Sequence, residues 1–352
     1  MLGGFIALLA AASFGFNNAA IRRGVLSGSV LQAMAITVPM GVPFILIITI
    51  ITGQIWNLGG FPLESYFWLA LAGVLHFVWG RYCNYRSTRA IGGNLSGPWK
   101  QSNLILAIFL AIILLDETLS PLKVLGIGLI VFGVMAASHA ARIAKQKAKA
   151  QELADKAAAE ADPEVAKQQA EAKAKKKVPD FKPNYAEGYT FALLSATGYG
   201  ISPVFIRMGL ETMGPQFSVV GALIAYFAAA VVVGLIIVFG KQWGHVKSIN
   251  PSSIKWFSLA GFLVGISQML RFVALSIAPV TVVTPIQSTS NLFRVIAAWF
   301  INREHEVFGV WILVGIFLSM LGVVALSVST QMVLDYVPLP DFLRAIAGWE
   351  WP

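Results

Sequence analysis

The sequence contains ten apolar runs, each long enough to cross a lipid bilayer as a helix. A bilayer has a hydrocarbon layer about 30 Å thick, which requires about 20 residues of α-helix. The runs cover residues 2–20, 30–52, 67–87, 94–114, 121–140, 188–208, 217–240, 256–277, 280–301 and 307–328. Because lipid offers the backbone no hydrogen-bond partners, such runs fold as helices. We therefore predict an all-α polytopic membrane protein with ten transmembrane helices.

The charge distribution supports a membrane protein and argues against a nucleic-acid-binding protein. Charged residues make up 12% of the chain, whereas soluble domains carry about 25%. The net charge of +9 would suit a nucleic-acid partner, but eleven of the 26 Lys and Arg residues lie in residues 141–183, together with seven of the 17 Asp and Glu residues. The other basic residues are scattered at the ends of runs or within them. We expect the lipid bilayer as a partner and no nucleic acid.

The two halves of the chain repeat one another. Phe14-Gly15 corresponds to Tyr199-Gly200 at an offset of 185 residues, and Gln101-Ser102-Asn103-Leu104 corresponds to Thr289-Ser290-Asn291-Leu292 at an offset of 188. Unrelated apolar helices would seldom keep so constant an offset. Each half has five runs, and because five is odd, the second copy enters the membrane from the opposite side. The sequence therefore predicts two inverted five-helix repeats, with a binding site between them near the middle of the bilayer.

The repeats define the predicted domains. They are a first five-helix repeat at residues 1–140, a charged linker at 141–187, a second five-helix repeat at 188–328 and an interfacial tail at 329–352. The linker is rich in Ala, Lys and Glu without an apolar stripe, which is typical of solvated helices. It would act either as a spacer or as a docking site for a partner or for anionic lipid headgroups.

The placement of Lys and Arg predicts the orientation. If the N-terminus is outside, the linker and most basic residues at the helix ends face the cytoplasm, as the positive-inside rule requires. We expect both termini outside and the linker inside, in the cytoplasmic (inner) membrane of a bacterium.

The fourth run of each half carries polar and cationic residues. Gln287, Asn291 and Arg294 fall on one face of a helix, and Lys100 and Asn103 lie in the corresponding run of the first half. A charge at mid-bilayer costs at least about 2.5–3.5 kcal/mol, so an intramembrane cation is by default a candidate functional residue. The alternative is that each cation extends to the membrane surface, or bonds a carbonyl freed beside a proline.

The candidate substrate-binding residues are the polar side chains inside the runs and two aromatic side chains at matching positions of the halves. They are Phe14, His76, Lys100, Asn103, Tyr199, Gln268, Arg271, Gln287, Asn291 and Arg294. No Asp or Glu lies at a comparable depth in the sequence, and a carrier of lipophilic cations would need one. Arg or Lys would instead bind a carboxylate or phosphate. The expected substrate is a small anionic or zwitterionic molecule.

Motifs for catalysis and metal binding are absent from the sequence. The chain has one cysteine, and its four histidines lack metal-ligand spacing. It also lacks the GxSxG, GxxxxGK[ST] and HExxH motifs. We expect no enzyme, no metal and no cofactor, and transport driven by a coupling ion or a counter-substrate. Among the buried side chains, His76 is the candidate for a titrating group.

Short motifs at the end of each half carry a family resemblance. Residues 114–121 (LLDETLSP), followed by 126–134 (GIGLIVFGV), resemble the end of an EamA repeat of the drug/metabolite transporter superfamily, and 302–306 (NREHE) resemble it more weakly. The resemblance implies a ten-helix carrier with a central cavity lined by the fourth helix of each half. Pro98 and Pro285 match the proline that such repeats place there. The resemblance does not extend to the linker or the tail.

Two acidic residues precede the last run of each half. Glu117 and Glu306 would favour the positive end of a helix, and Ser120 and Pro121 have the residue types of an N-cap and a first helical position. We expect a structural role for both acids.

Three functions are compatible with the sequence. The first is a secondary-active transporter (permease) that moves a small polar, anionic or zwitterionic metabolite by alternating access. The second is an exporter of hydrophobic drugs. The third is a membrane sensor or scaffold that recruits a partner through the linker.

Overall fold

The architecture is taken from a computed structural model. It describes residues 2–133, 184–211, 213–301, 310–328 and 340–350, and seven isolated positions between 135 and 154. The predicted linker lies almost entirely outside these residues, as do Glu306 and the first part of the predicted tail. In the described part of the chain, every secondary-structure element longer than one residue is a helix.

The first repeat begins at the N-terminus and ends before the linker. Its α-helices are α1 Leu2–Gly24, α2 Val30–Thr37, α3 Gly41–Ile51, α4 Leu63–Gly73, α5 Arg81–Lys100, α6 Ser102–Leu115 and α7 Pro121–Gly133. A 3-10 helix, Gln54–Gly60, precedes α4, and a π-helix, Val74–Gly80, joins α4 to α5. Pro39 lies between α2 and α3, where a residue that lacks a backbone N–H interrupts the helix.

The second repeat follows the linker. Its α-helices are α8 Tyr185–Leu210, α9 Ser218–Phe239, α10 Trp243–Lys247, α11 Pro251–Ile277, α12 Val280–Ser288, α13 Ser290–Ile301 and α14 Val310–Ser327, and the tail contains α15 Asp341–Ala347. Asn184 caps α8 by accepting a hydrogen bond from the Glu187 N–H, and Asn250 caps α11 in the same way from Ser252.

Every apolar run predicted from the sequence contains helix in the described residues. Five segments are long and apolar enough to cross a membrane as they stand, namely Leu2–Gly24, Val30–Ile51, Tyr185–Leu210, Pro215–Phe239 and Pro251–Ile277. The run at 94–114 is interrupted by a turn at Gln101, and the run at 280–301 by a turn at Thr289. The interruptions shorten the helices, so length alone does not establish ten spans.

The two repeats interlock through their first helices. Helix α1 packs most extensively against α11 and α13 of the second repeat, and α8 packs against α5 and α6 of the first. Each first helix therefore fills the space between the third and fourth spans of the other repeat. This exchange follows the internal duplication of the sequence and fits an inverted repeat.

Glycines allow the first helices to approach their partners closely. A Cβ on Gly15 would lie 2.7 Å from the Ser290 carbonyl oxygen and 2.7 Å from the Arg294 nitrogen, and a Cβ on Gly200 would lie 2.9 Å from the Asn103 carbonyl oxygen. Gly15 and Gly200 are corresponding residues of the two repeats. Small residues at helix contacts are typical of membrane proteins, because close van der Waals packing replaces the hydrophobic effect between helices.

The last helices of the two repeats pack antiparallel. A Cβ on Gly126 would lie 3.0 Å from the Gly322 carbonyl oxygen, and a Cβ on Gly133 would lie 2.6 Å from the Gly315 carbonyl oxygen. The start of α7 thus meets the end of α14, and the end of α7 meets the start of α14. Corresponding helices that run in opposite directions are what an inverted duplication produces.

Candidate functional site

A cavity lies between the two repeats. Its walls border about 700 Å³ of empty space, a figure that includes space open to the exterior. Helices α1, α5, α6, α8, α11, α12 and α13 and the π-helix line it. The lining residues are Ala10, Ala11, Phe14, Asn18, His76, Asn84, Lys100, Gln101, Asn103, Tyr199, Ser267, Gln268, Arg271, Thr284, Gln287, Ser288, Ser290 and Asn291.

Arg271 is a buried cation in the wall of this cavity. Its side chain is 4% exposed. Its Nη1 lies 2.9 Å from Nδ1 of His76 and donates to Oε1 of Gln268 at 3.4 Å, and its Nη2 donates to the Ser202 hydroxyl at 3.3 Å. Its Nε is buried without a hydrogen-bond partner in the described structure. Arg271 is therefore held by neutral groups and keeps one donor unused.

The aromatic side chains at the cavity come from corresponding positions of the two repeats. Phe14 of α1 and Tyr199 of α8 meet edge to face, with ring centroids 6.3 Å apart at 85°. The Tyr199 ring also lies against the His76 ring, at a centroid distance of 4.5 Å. The rings of Phe14 and Tyr199 therefore form an apolar wall of the cavity.

Lys100 is the second cation that lines the cavity. Its ammonium donates to Oδ1 of Asn84 at 2.6 Å and to the Thr88 hydroxyl at 3.4 Å, both on α5. These partners are neutral, so they satisfy hydrogen bonds without neutralising the charge.

Arg294 lies close to Lys100. A Cβ on Gly97 would lie 3.8 Å from Nη2 of Arg294 and 3.6 Å from Oδ1 of Asn291, so both side chains reach α5. The charges of Lys100 and Arg294 repel each other. Two cationic side chains therefore lie close together at this end of the cavity.

The breaks in the fourth spans lie at the cavity. Gln101, at the turn between α5 and α6, donates from Nε2 to the Ser288 carbonyl oxygen at 3.4 Å, across the interface between the repeats. Ser288 ends α12, immediately before the turn at Thr289. A side chain from one repeat therefore bonds a backbone group freed by the helix break in the other, as irregular backbone at membrane depth requires.

Comparison with known proteins gives the family. The EamA-like transporter family matches residues 1–138 and 186–328, which together form most of the chain. The chain belongs to the EamA-like transporter family. It is thus an integral membrane protein of the drug/metabolite transporter type.

The fold of this EamA-like family member recurs in solved structures. One crystal structure superposes with a TM-score of 0.58 at 14% sequence identity, covering 92% of this chain and 94% of its own. At that identity, the likeness concerns the fold alone. No curated protein matches the chain.

In this EamA-like family member, nine of the ten predicted site residues line the cavity. They are Phe14, His76, Lys100, Asn103, Tyr199, Gln268, Arg271, Gln287 and Asn291. Arg294 is not among the lining residues, although its guanidinium lies beside Gly97. Gln287, Asn291 and Arg294 were expected on one face of an unbroken helix. The turn at Thr289 interrupts that helix, so the residues after it no longer keep the helical alignment with those before it.

Two polar residues outside the predicted set hold the cations of the cavity. Asn84 holds Lys100, and Ser202 holds Arg271. Asn84 lies near the end of the third run and Thr88 follows one helical turn later, a spacing that would have identified them. Arg81, on the same helix, is buried away from the cavity lining, where it donates to the Thr37 carbonyl oxygen and the Tyr226 hydroxyl.

Proposed function

We propose that this protein is a secondary-active transporter that moves a small polar metabolite carrying at least one acidic group. The observation that carries the proposal is Arg271, a buried guanidinium in the cavity between the repeats, held by neutral side chains and with Nε unpartnered in the described structure. An uncompensated buried cation is expensive, so its retention favours a ligand that supplies the opposite charge. Arginine also matches the planar geometry of a carboxylate or phosphate group.

The composition of the cavity supports an acidic group on the substrate. Asp and Glu are absent from the described residues that line it. A lipophilic cation would therefore meet Lys100 and Arg271 without a counter-charge, which disfavours the export of cationic drugs. The aromatic wall of Phe14 and Tyr199 suits a substrate with an apolar body.

The interlocked repeats support transport by alternating access. We infer ten membrane spans, with the broken fourth span of each repeat at the cavity, an arrangement in which one repeat can rock against the other around a fixed site. The sequence has no ATP-binding motif, so transport would be driven by a coupling ion or by exchange for a counter-substrate.

We infer the orientation from the positions of Lys and Arg. Both termini would be outside and the linker in the cytoplasm of a bacterial cell. An accessibility label at Gln151 tests this orientation, and labelling from the outside of intact cells would reject it.

Transport in proteoliposomes tests the function. Purified protein would be assayed with radiolabelled amino acids, carboxylates, nucleotides and sugar phosphates, with and without a proton or sodium gradient. We expect uptake or exchange of at least one acidic compound, and loss of that flux in Arg271→Gln at unchanged yield. Equal flux in Arg271→Gln and the unsubstituted protein would remove Arg271 from the site. Lys255→Gln is the matched control, because Lys255 lies exposed on the same helix α11.

A further inference from the structure

The two cations that line the cavity belong to different repeats. Lys100 ends α5 in the first repeat, and Arg271 lies on α11 in the second. The residues that correspond to them at an offset of 188 are Ser288 and Cys83, which are neutral. The two positive groups are therefore not copies of one another, and each repeat contributes one of them.

We propose that the substrate is a small dianion, with one acidic group bound at Lys100, the other at Arg271, and an apolar body between them. This inference rests on the proposed transport of acidic metabolites and narrows it. A dicarboxylate and a molecule with one carboxylate and one phosphate share this chemistry.

The partners of the two cations lie on one helical segment. Arg271 lies against His76, and Lys100 donates to Asn84. His76 and Asn84 are eight residues apart on this segment, which corresponds to roughly 10–12 Å along the axis. Two carboxylates on a short carbon chain match cations held at partners with this spacing better than a single carboxylate does.

Tyr199 lies between the two cationic ends. Its ring packs against His76 at one end, and its hydroxyl lies towards Asn84 at the other. Phe14 meets this ring edge to face. Aromatic rings therefore line the cavity between the two cations, which suits methylene groups or a ring better than a third charge.

The same residues disfavour a zwitterion. An ammonium group would require an anionic partner, and in the described lining of the cavity the charged side chains are Lys100 and Arg271. An acidic group on the ligand would be attracted to either cation, whereas an ammonium would be repelled by both.

Binding of matched acids to the purified full-length protein tests the proposal. The probes are succinate, adipate and suberate, each paired with the monocarboxylate of the same carbon number, at a pH where all carboxyl groups are ionised. Ligand-induced shifts of Tm give the affinities, because a ligand that binds the folded state stabilises it. We expect at least one diacid to bind roughly 10- to 100-fold more tightly than its monoacid, the effect of one additional hydrogen-bonded charge.

Variants assign the two acidic groups to the two cations. In Lys100→Met and in Arg271→Met, the diacid should bind no more tightly than its monoacid. Lys100→Arg keeps the charge and should keep the preference for the diacid. Lys255→Met, which removes an exposed charge from α11, should also keep it.

The outcomes separate this proposal from the transport of acids in general. If monoacids bind as tightly as diacids in the unsubstituted protein, the proposal of a dianionic substrate is wrong, and the proposal of an acidic substrate is kept. If none of these acids binds, the dianion site is wrong, and the transport assay with the other acidic compounds decides whether an acidic substrate is moved at all. If the preference persists in Lys100→Met or in Arg271→Met, that cation does not hold the second group and the dianion site is wrong. The comparison in the unsubstituted protein decides the matter even if a variant does not fold.

Discussion

The carboxylate of Glu117, in the first repeat, accepts a hydrogen bond of 2.7 Å from the backbone N–H of Val280, the first residue of α12 in the second repeat. Its other oxygen accepts one of 2.8 Å from the N–H of Thr281. Glu117 thus satisfies two N–H groups that a helix N-terminus leaves unpaired, and places its negative charge at the positive end of the helix dipole. The sequence predicted that Glu117 lies at the positive end of a helix. In the structure, that helix is α12 of the second repeat.

Replacing Glu117 should destabilise the protein without changing which acids it binds. Glu117→Ala removes two charge-assisted hydrogen bonds that hold α12 against the first repeat, and we expect a loss of about 2–3 kcal/mol. The Tm of the purified protein and the yield of folded protein measure this loss. Glu211→Gln, at an exposed acid, is the control and should leave Tm unchanged. A normal Tm with an altered preference among acids would instead assign Glu117 to the substrate site.

A methyl group on Gly15 should separate α1 from α13. Its Cβ would lie 2.7 Å from backbone atoms of Ser290 and Arg294, and backbone cannot move aside as a flexible side chain can. We expect Gly15→Ala to cost about 1–3 kcal/mol. Gly234→Ala is the matched control, because nothing lies within 4 Å of its Cβ, and it should gain up to about 1 kcal/mol from helix propensity. Thermal unfolding gives the Tm of both variants. Tm values that move in the same direction would contradict the close contact between Gly15 and α13.

Much of the fold could be predicted because lipid restricts what a backbone can do. Apolar runs locate the helices, and the correspondence of Gly15 with Gly200 indicates that two equivalent units pack around each other. The turns at Gln101 and Thr289 could not be predicted, because side-chain and backbone groups from the other repeat decide where a freed carbonyl finds a partner. The hydrogen bond between Gln101 and the Ser288 carbonyl oxygen is such a case.

Many polar residues that line the cavity could be predicted from their type, whereas their arrangement could not. Polar residues inside apolar runs identify His76, Lys100 and Arg271, because an unpaired polar group in lipid is costly wherever it lies. The pairing of Lys100 with Asn84, and of Arg271 with His76, depends on how the spans pack. Helical periodicity within one run contains no information about contacts between runs.

Deletion of the linker tests whether the protein acts as a carrier or as a scaffold that recruits a partner. Residues 145–177 contain most of the linker charge, and α8 begins with its own cap at Asn184, so the second repeat does not depend on the linker for its first helix turn. We expect a protein lacking residues 145–177, with a short Gly/Ser connection in their place, to keep its transport rate in proteoliposomes within about twofold, which is less than about 0.5 kcal/mol in the barrier. Abolished flux at normal yield and normal Tm would favour a regulatory or recruiting role for the linker.

Arg81 and Arg271 should respond in opposite ways to the same substitution. Arg81 donates to the Thr37 carbonyl oxygen and the Tyr226 hydroxyl, and its guanidinium lies 5.0 Å from the centroid of the Phe77 ring. These contacts join the first repeat to α9 of the second, so Arg81→Gln should lower the free energy of unfolding by roughly 2–4 kcal/mol.

Arg271 also has neutral partners among the described residues, but it lines the cavity and its Nε has no hydrogen-bond partner there. Its removal relieves the cost of burying a charge, so Arg271→Gln should leave the Tm of the ligand-free protein unchanged or raise it, while the Tm shift caused by an acidic ligand is lost. Arg81→Gln should keep that ligand-induced shift at a lower starting Tm. Measuring Tm for both variants with and without adipate distinguishes a cation that holds the fold from one that holds a ligand, and identical behaviour of the two would contradict this division of roles.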